Sequence, residues 1–528
     1  MHDNFNIVAP LAATAAQWPD ALAIQAGKDR ITYGDLVRKA ACLGVHLQPH
    51  LKTGRIGVLG SRSIAAYTGV AGAAWAGAAY VPLNLKWPED RLIALMQELQ
   101  LDALIVDRNG AAKLTEAVLP HAPSQIIRAD EAPCIPGAVA MTSIDDAMLT
   151  APAPRKAEQT AYIVFTSGST GMPKGVVVSC GSLAHYLAET RKWARFTPDD
   201  RVAEAHDITF DLSVHNMFLA FEAGSSLHLM SQLDLMAPQN FIRTNAITCW
   251  MSVPTIVNTM RRAGSLKPDM FDTLRLSVFC GEPLGMATVN AWADAAPNSD
   301  VENIYGPTEC TVVCTRQRLT NPPLVTKSRN ILAIGVPYDN FEIAICAPDG
   351  SPLPDGETGE IALASPQLSD GYFDAQEQTA KAFRTIDSKR WYFTGDLGMR
   401  DADGVLHHMG RADNQVKVKG NRIELEEVEM HLRKAAGTDL AAVVAWPYLE
   451  GIAQGLVGFA VSGAMTEADI QSAMKTTLPD YMVPQSVQLR DSLPENINGK
   501  IDRKALRAEL DSGASMETPV ASPERVTA

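Results

Sequence analysis

Apolar, β-rich runs recur along the chain. Ala161-Tyr162-Ile163-Val164-Phe165, Gly175-Val176-Val177-Val178 and Leu276-Ser277-Val278-Phe279 read as buried strands. Between such runs lie longer stretches in which apolar residues return every three or four positions. Pro88 to Leu99 and Ser182 to Ala194 are examples, and they predict amphipathic helices. Helices alternating with buried strands predict an α/β fold, a largely parallel sheet covered on both faces. From Ile64 to Leu83 no charged residue occurs, but the stretch is built of Ala and Gly and contains Pro82. Ala and Gly contribute little transfer energy. The reading is therefore a tightly packed buried helix running into a strand at Ala79-Tyr80-Val81, rather than a membrane span. The turn formers from Ala347-Pro348-Asp349-Gly350 to Gly356 predict a β-rich subdomain at about 335–410. The segment Asp511 to Ala528 is rich in Ser, Pro, Glu and Ala and predicts a disordered tail.

Composition narrows the class without naming a function. Of 528 residues, 46% are hydrophobic and 20% charged, enough apolar material for a large core. The net charge of −14 lacks the basic surplus of a nucleic-acid binder. The 8 cysteines include no CxxC pair, and Cys310 and Cys314 have no second Cys/His pair at zinc-ligand spacing. They read as free thiols of a reducing, cytoplasmic compartment. Met1-His2-Asp3-Asn4 has no basic region of the kind that opens a signal peptide.

Four segments carry candidate chemistry. The strongest is Thr166-Ser167-Gly168-Ser169-Thr170-Gly171-Met172-Pro173-Lys174-Gly175, which joins two predicted strands. Small residues let the backbone approach a ligand, and hydroxyls, N–H groups and Lys174 can surround phosphate oxygens. Pro173 stands where a Walker A loop needs Gly before its Lys, so the P-loop NTPase reading fails on spacing. Asn303-Ile304-Tyr305-Gly306-Pro307-Thr308-Glu309 brings an aromatic ring, a hydroxyl and a carboxylate to one tight turn. A ring can stack on a base, and a carboxylate can hold Mg²⁺ on phosphates. Asp396 in Tyr392-Phe393-Thr394-Gly395-Asp396-Leu397 can accept two hydrogen bonds from a ribose diol, or merely form a turn. Lys500 in Asn498-Gly499-Lys500-Ile501-Asp502-Arg503, taken alone, reads as a solvated turn lysine.

Together and in this order, the segments resemble the adenylate-forming superfamily: acyl-CoA synthetases, luciferases and the adenylation domains of nonribosomal peptide synthetases. The resemblance runs from Ile31-Thr32-Tyr33-Gly34-Asp35-Leu36 to the Lys500 turn and includes Phe210-Asp211-Leu212-Ser213 and Gly359-Glu360-Ile361. It implies a large N-terminal AMP-binding domain over 1–412, a small mobile α+β C-terminal domain over 413–510 and a hinge at Asp413. It implies that a substrate carboxylate attacks the α-phosphate of ATP, and that a thiol then takes the acyl group. Carried over position by position, Thr166, Ser167, Gly168, Ser169, Thr170 and Lys174 hold the outer phosphates. Asn303 and Tyr305 meet the adenine, with Gly281, Glu282 and Pro283 on its other side, and Gly306 and Lys417 join the nucleotide set. Thr308 contacts the α-phosphate and Glu309 holds Mg²⁺. Asp396 and Arg411 bind the ribose, and Lys500 bridges carboxylate and phosphate as the catalytic cation.

Asp211 separates the branches. In the amino-acid-activating branch that the motif resembles, the Asp of Phe-Asp-x-Ser pairs with an α-ammonium, which fatty and aryl acids lack; taken alone, Asp211 is also a candidate helix cap. The remaining pocket positions implied by the resemblance are Leu212, His215, Met251, Val278, Cys280, Ile304, Val312 and Val313. They are mostly apolar and imply a small apolar amino acid, alanine- or proline-like. Phe279-Cys280-Gly281-Glu282-Pro283-Leu284 resembles the D-alanine–carrier protein ligases. His215, Met251, Ile304 and the Val312-Val313 pair depart from that subfamily and leave room for proline, L-alanine or serine. With about thirty residues after Lys500, too few for a domain, the expected acceptor is the phosphopantetheine thiol of a separate carrier protein. Coenzyme A is the alternative, in an acyl-CoA synthetase acting on a small carboxylic acid. A non-catalytic binding protein would not need Lys500, Glu309 and Asp396 together.

Overall fold

Leu276–Phe279 is buried along its whole length, as a strand enclosed on both faces must be. It pairs in parallel with Cys249–Ser252 on one side and Asp300–Tyr305 on the other. These strands form the middle of a nine-stranded sheet. Its parallel run continues through Arg201–Glu204 and Ser226–Leu229 to Leu22–Ala26, with antiparallel strands at both edges. An eight-stranded sheet holds Thr160–Thr166 between Lys174–Ser179, which is antiparallel to it, and Ala79–Leu83, which is parallel. A third sheet is wholly antiparallel: Glu342–Cys346, Thr358–Ala364, Phe383–Ile386, Lys389–Arg400 and Leu406–Arg411. The computed structural model describes residues 4–144, 151–168, 173–339, 341–449, 451–461, 465–494 and 501–513.

The uncharged Ala/Gly stretch forms the helix Ile64–Trp75 and the strand Ala79–Leu83, both almost entirely buried. Its glycines have a packing reason. A Cβ on Gly72 would lie 2.7 Å from Leu43 Cβ, and one on Gly44 would lie 2.7 Å from Trp75 Cδ1. The helices Tyr33–Leu47 and Ile64–Trp75 approach too closely there for any side chain. Among the described residues, no helix is long and apolar enough to cross a membrane. The helix predicted to start at Ser182 begins at Cys180, because Ser179 caps it by accepting from Ser182 N.

The chain divides into two compact units, the first running through Asn414 and the second beginning at Gln415. The second is small and α+β. The helix Leu425–Ala436 packs its apolar face on Ala441–Ala445 and Leu456–Val461, and Gly437 ends the helix at φ +68°. The predicted tail from Asp511 lies outside the described residues beyond Gly513.

Two buried histidines tie the first unit's stability to pH. Burial pushes His215 down to about 3, with His206 adding to the effect. Burial also pushes His228 down to about 4, with Arg201 and Arg30 adding. Each binds a proton near 6.5 when unfolded and stays neutral when folded, so acidification favours the unfolded chain. Stability is therefore expected to fall as pH drops from 6.5 towards 4, by up to about 1.4 kcal/mol per pH unit for each group. Glu302, pushed up to about 7 chiefly by burial, acts in the opposite sense. The check is urea unfolding of the protein and of His215→Phe at pH 6.5 and 5. The variant should show the smaller acid loss, and equal losses would contradict the assignment.

Candidate active site

Several of the predicted residues lie on or just after the central parallel strands of the first unit. Met251 and Val278 are register partners on adjacent strands, and Cys280 follows at a strand end. Leu212, Met251, Val278, Cys280, Ile304, Val312 and Val313 are all buried in one apolar cluster. His215 is fully buried on the helix Leu212–Ala223. Its Nδ1 shares a hydrogen bond of 2.5 Å with the Tyr186 hydroxyl, and the rings of Trp193 and Phe196 lie near it. Its low proton affinity keeps it neutral.

Asp211 occupies the N-cap position of that helix, yet its side chain makes no capping hydrogen bond. The helix-cap reading therefore fails. Asp211 is only 8% exposed, and its charge is felt by Tyr80, Tyr162 and Cys310, whose protons are held more tightly for it. Burial is the largest cause for all three; Tyr80 comes before Asp211 for Tyr162, and the neighbouring Cys314 comes before Asp211 and Glu309 for Cys310. A buried carboxylate among aromatic and apolar side chains is a place for a cation.

The second group of residues surrounds Asp396. Its Oδ2 accepts from the Tyr305 hydroxyl at 2.7 Å, and its Oδ1 accepts from Arg411 at 2.7 Å. Burial first, and Asp396 second, keep the Tyr305 proton well held, so this hydroxyl donates. Arg411 also makes two bonds of 2.7 Å to Asp413. Tyr305 ends the strand Asp300–Tyr305, where its ring lies 6.0 Å from that of His408. Asn303, on the same strand, donates to Ala333 O at 2.8 Å. Glu282 accepts from Thr255 N and Oγ1 at 2.9 and 2.7 Å. Gly281, at φ +87°, has a conformation L side chains rarely adopt.

Thr308 opens a short 3-10 turn to Cys310. Glu309 is 1% exposed and accepts from the Tyr372 hydroxyl at 2.8 Å. Gly306 is required by a close approach: a Cβ there would sit 2.3 Å from Val313 Cα. Thr166 and Lys174 face each other across an antiparallel pair, with Ser167 and Gly168 following Thr166, and Lys174 Nζ lies 5.4 Å from the Tyr372 ring centre. Ser169, Thr170 and Lys500 lie outside the described residues. Lys417 is in the second unit, opposite Arg422 on the strand Gln415–Val418.

These residues fit a nucleotide and its metal. Asp396 is a hydrogen-bonded carboxylate of the kind a diol seeks, Tyr305 supplies a ring beside it, and Glu309 is a hard oxygen donor suited to Mg²⁺. Sequence reasoning missed Tyr372 and His408, which steady Glu309 and Tyr305. Their partners lie 63 and about a hundred positions away, and no local pattern marks either one. All eight cysteines are free thiols, and only Cys134 is exposed. No three-residue His/Cys/Asp/Glu group suited to a metal occurs among the described residues.

Comparison with known proteins identifies the family. The AMP-binding enzyme family model matches residues 11–373, and the AMP-binding enzyme C-terminal domain model matches residues 427–500. The chain is 29% identical to the D-alanine–D-alanyl carrier protein ligase of Bacillus cereus (strain AH187), over 94% of this chain and 98% of that protein. It is also 29% identical to the delta-poly-L-ornithine synthetase of Acinetobacter baumannii, over 94% of this chain, but spans only 36% of that protein's length. The crystal structure of the Vibrio cholerae adenylation domain AlmE, in complex with glycyl-adenosine-5'-phosphate, superposes with a TM-score of 0.87. The sequences are 30% identical, and the match covers 97% of this chain and 99% of that one. The chain belongs to the family of AMP-binding enzymes, adenylate-forming ligases with a large N-terminal and a small C-terminal domain.

Proposed function

We propose that this protein activates a small apolar α-amino acid, alanine- or proline-like, as its adenylate, and then loads the phosphopantetheine thiol of a separate carrier protein. The observation that carries the reading is Asp211, a buried carboxylate that does not cap its own helix. It would pair with the substrate's α-ammonium, while Leu212, Met251, Val278, Cys280, Ile304, Val312 and Val313 enclose the side chain. The D-alanine–D-alanyl carrier protein ligase supports the thioester step, and AlmE, crystallised with glycyl-adenosine-5'-phosphate, supports the aminoacyl-adenylate.

In this mechanism the substrate carboxylate oxygen forms a bond to the α-phosphorus as the bond to pyrophosphate breaks. Asp396, held by Tyr305 and Arg411, would fix the ribose. Asn303, Tyr305 and the 281–283 backbone would sandwich the adenine. Thr166 to Lys174 would take the outer phosphates, and Gly306 would let the loop come close. Thr308 would meet the α-phosphate, and Lys500 and Lys417 would add positive charge. Glu309 would hold Mg²⁺, which would offset phosphate charge when bound. The carrier thiolate then attacks the adenylate carbonyl and AMP leaves. Asp413, near the junction of the two units, is proposed as the hinge between the steps.

Asp396→Asn keeps the shape but weakens both ribose hydrogen bonds. The KM for ATP is expected to rise about tenfold or more, read in ATP–pyrophosphate exchange; an unmoved KM would remove Asp396 from the nucleotide site. The reading as a whole is tested by mass spectrometry of a phosphopantetheinylated carrier protein after incubation with enzyme, ATP and alanine or proline. A carrier heavier by one aminoacyl group is expected. Loading of coenzyme A but of no carrier would favour the acyl-CoA synthetase alternative.

A further inference from the structure

The loop between Tyr305 and Cys314 holds an unfavourable backbone. Thr311 and Val312, both β-branched, stand at φ +60° and +72°, a region such residues rarely enter. On the reading above, this loop carries Thr308, Glu309, Val312 and Val313. Something outside the loop must hold it, because consecutive β-branched residues left to themselves relax to negative φ.

Beside main-chain bonds such as Thr311 N to Thr308 O and Val313 N to Thr311 O, one side chain grips the loop at several points, Gln367. It is fully buried, and its Nε2 donates to three main-chain carbonyls of the loop: Cys310 O at 2.8 Å, Thr311 O at 3.1 Å and Val313 O at 2.6 Å. An amide has two N–H groups, so one proton is shared between two of the carbonyls. Its Oε1 accepts from His185 Nδ1 at 3.3 Å, which sets the amide's orientation. The loop answers in kind: Thr311 Oγ1 donates to Gln367 O at 2.7 Å. Two residues on, Ser369 N donates to Glu309 O at 2.8 Å. The 366–368 backbone is itself anchored, since Ser182 Oγ donates to Pro366 O and Leu368 O at 3.3 and 3.0 Å.

We propose that Gln367 is a positioning residue, one that holds the strained 308–313 loop so that the side-chain pocket and Glu309 keep their places. It touches no substrate and acts through the backbone it clamps. No other side chain is hydrogen-bonded to more of that loop's carbonyls among the described residues. Its effect on selectivity rests on the pocket reading above; its effect on the loop does not.

The test uses two variants of the full-length protein. Gln367→Met removes the donors at nearly constant volume, and Thr311→Val removes only the reciprocal hydroxyl and keeps the shape. Amide hydrogen exchange over residues 309–314 is expected to accelerate about tenfold or more in Gln367→Met and less in Thr311→Val, with the central strands unchanged. In pyrophosphate exchange, kcat/KM for the preferred amino acid is expected to fall about thirtyfold in Gln367→Met, because small displacements of positioning groups are costly. Its advantage over an analogue one methylene larger should shrink about fivefold, and the KM for ATP should rise too, because Thr308 and Glu309 share the loop. A merely structural residue would lower the melting temperature and leave that selectivity intact. Loop exchange no faster than in the parent protein, in whichever variants fold, overturns the proposal. Should the parent protein activate no amino acid, the function reading fails while loop exchange still decides the clamp.

Discussion

Lys500→Ala is expected to bind ATP and form almost no adenylate. Two anions, a carboxylate and the α-phosphate, must meet, and negative charge builds on the departing pyrophosphate. A cation between them is worth more in the transition state than in the bound ground state, so its loss falls on kcat rather than on ATP affinity. The expected drop in pyrophosphate exchange is about 10²–10³-fold or more. ATP binding followed by calorimetry should change little. Normal exchange in the variant would end the assignment, and lost ATP binding would turn Lys500 into a nucleotide-binding group.

Asp211→Ala is expected to act on the other substrate. The Asp211 carboxylate is buried, and its charge is felt by Tyr80 and Tyr162. Removing one partner of the proposed ion pair leaves the ammonium desolvated without a counter-charge, a loss of about 3–5 kcal/mol, or roughly 10²–10⁴-fold in the amino acid's KM. Asp211→Asn keeps the shape and loses the charge, so it should resemble the alanine variant. The KM for ATP should stay within about threefold, since no nucleotide group is touched. An unchanged amino acid KM in both variants would contradict the pairing.

How much of this was legible along the chain depends on range. The alternation of buried strands with amphipathic helices dictated an α/β fold, and Leu276–Phe279 and Cys180–Ala194 appear where that pattern places them. The uncharged stretch from Ile64 became a buried helix because Ala and Gly let two helices touch. Strand order was not legible. Leu22–Ala26 pairs with Ser226–Leu229 across two hundred positions, and no local periodicity encodes such a partner. The site divides the same way. Residue types within one turn, such as Tyr305 with Thr308 and Glu309, could be read directly. The bonds that orient them, Asp396 to Tyr305, Tyr372 to Glu309 and Gln367 to Val313, close over long separations and exist only in the folded chain. The neutrality of His215 was not legible either; it follows from burial against Tyr186, Trp193 and Phe196.

The central claim is that the carboxylic acid is an amino acid held by Asp211. ATP–pyrophosphate exchange across the common L- and D-amino acids, beside short and long fatty acids and aryl acids, tests it most directly. The account predicts exchange with small apolar amino acids, strongest for one of alanine or proline size, and none with acids that lack an α-ammonium. Exchange driven by a fatty or aryl acid, with none from any amino acid, would contradict it.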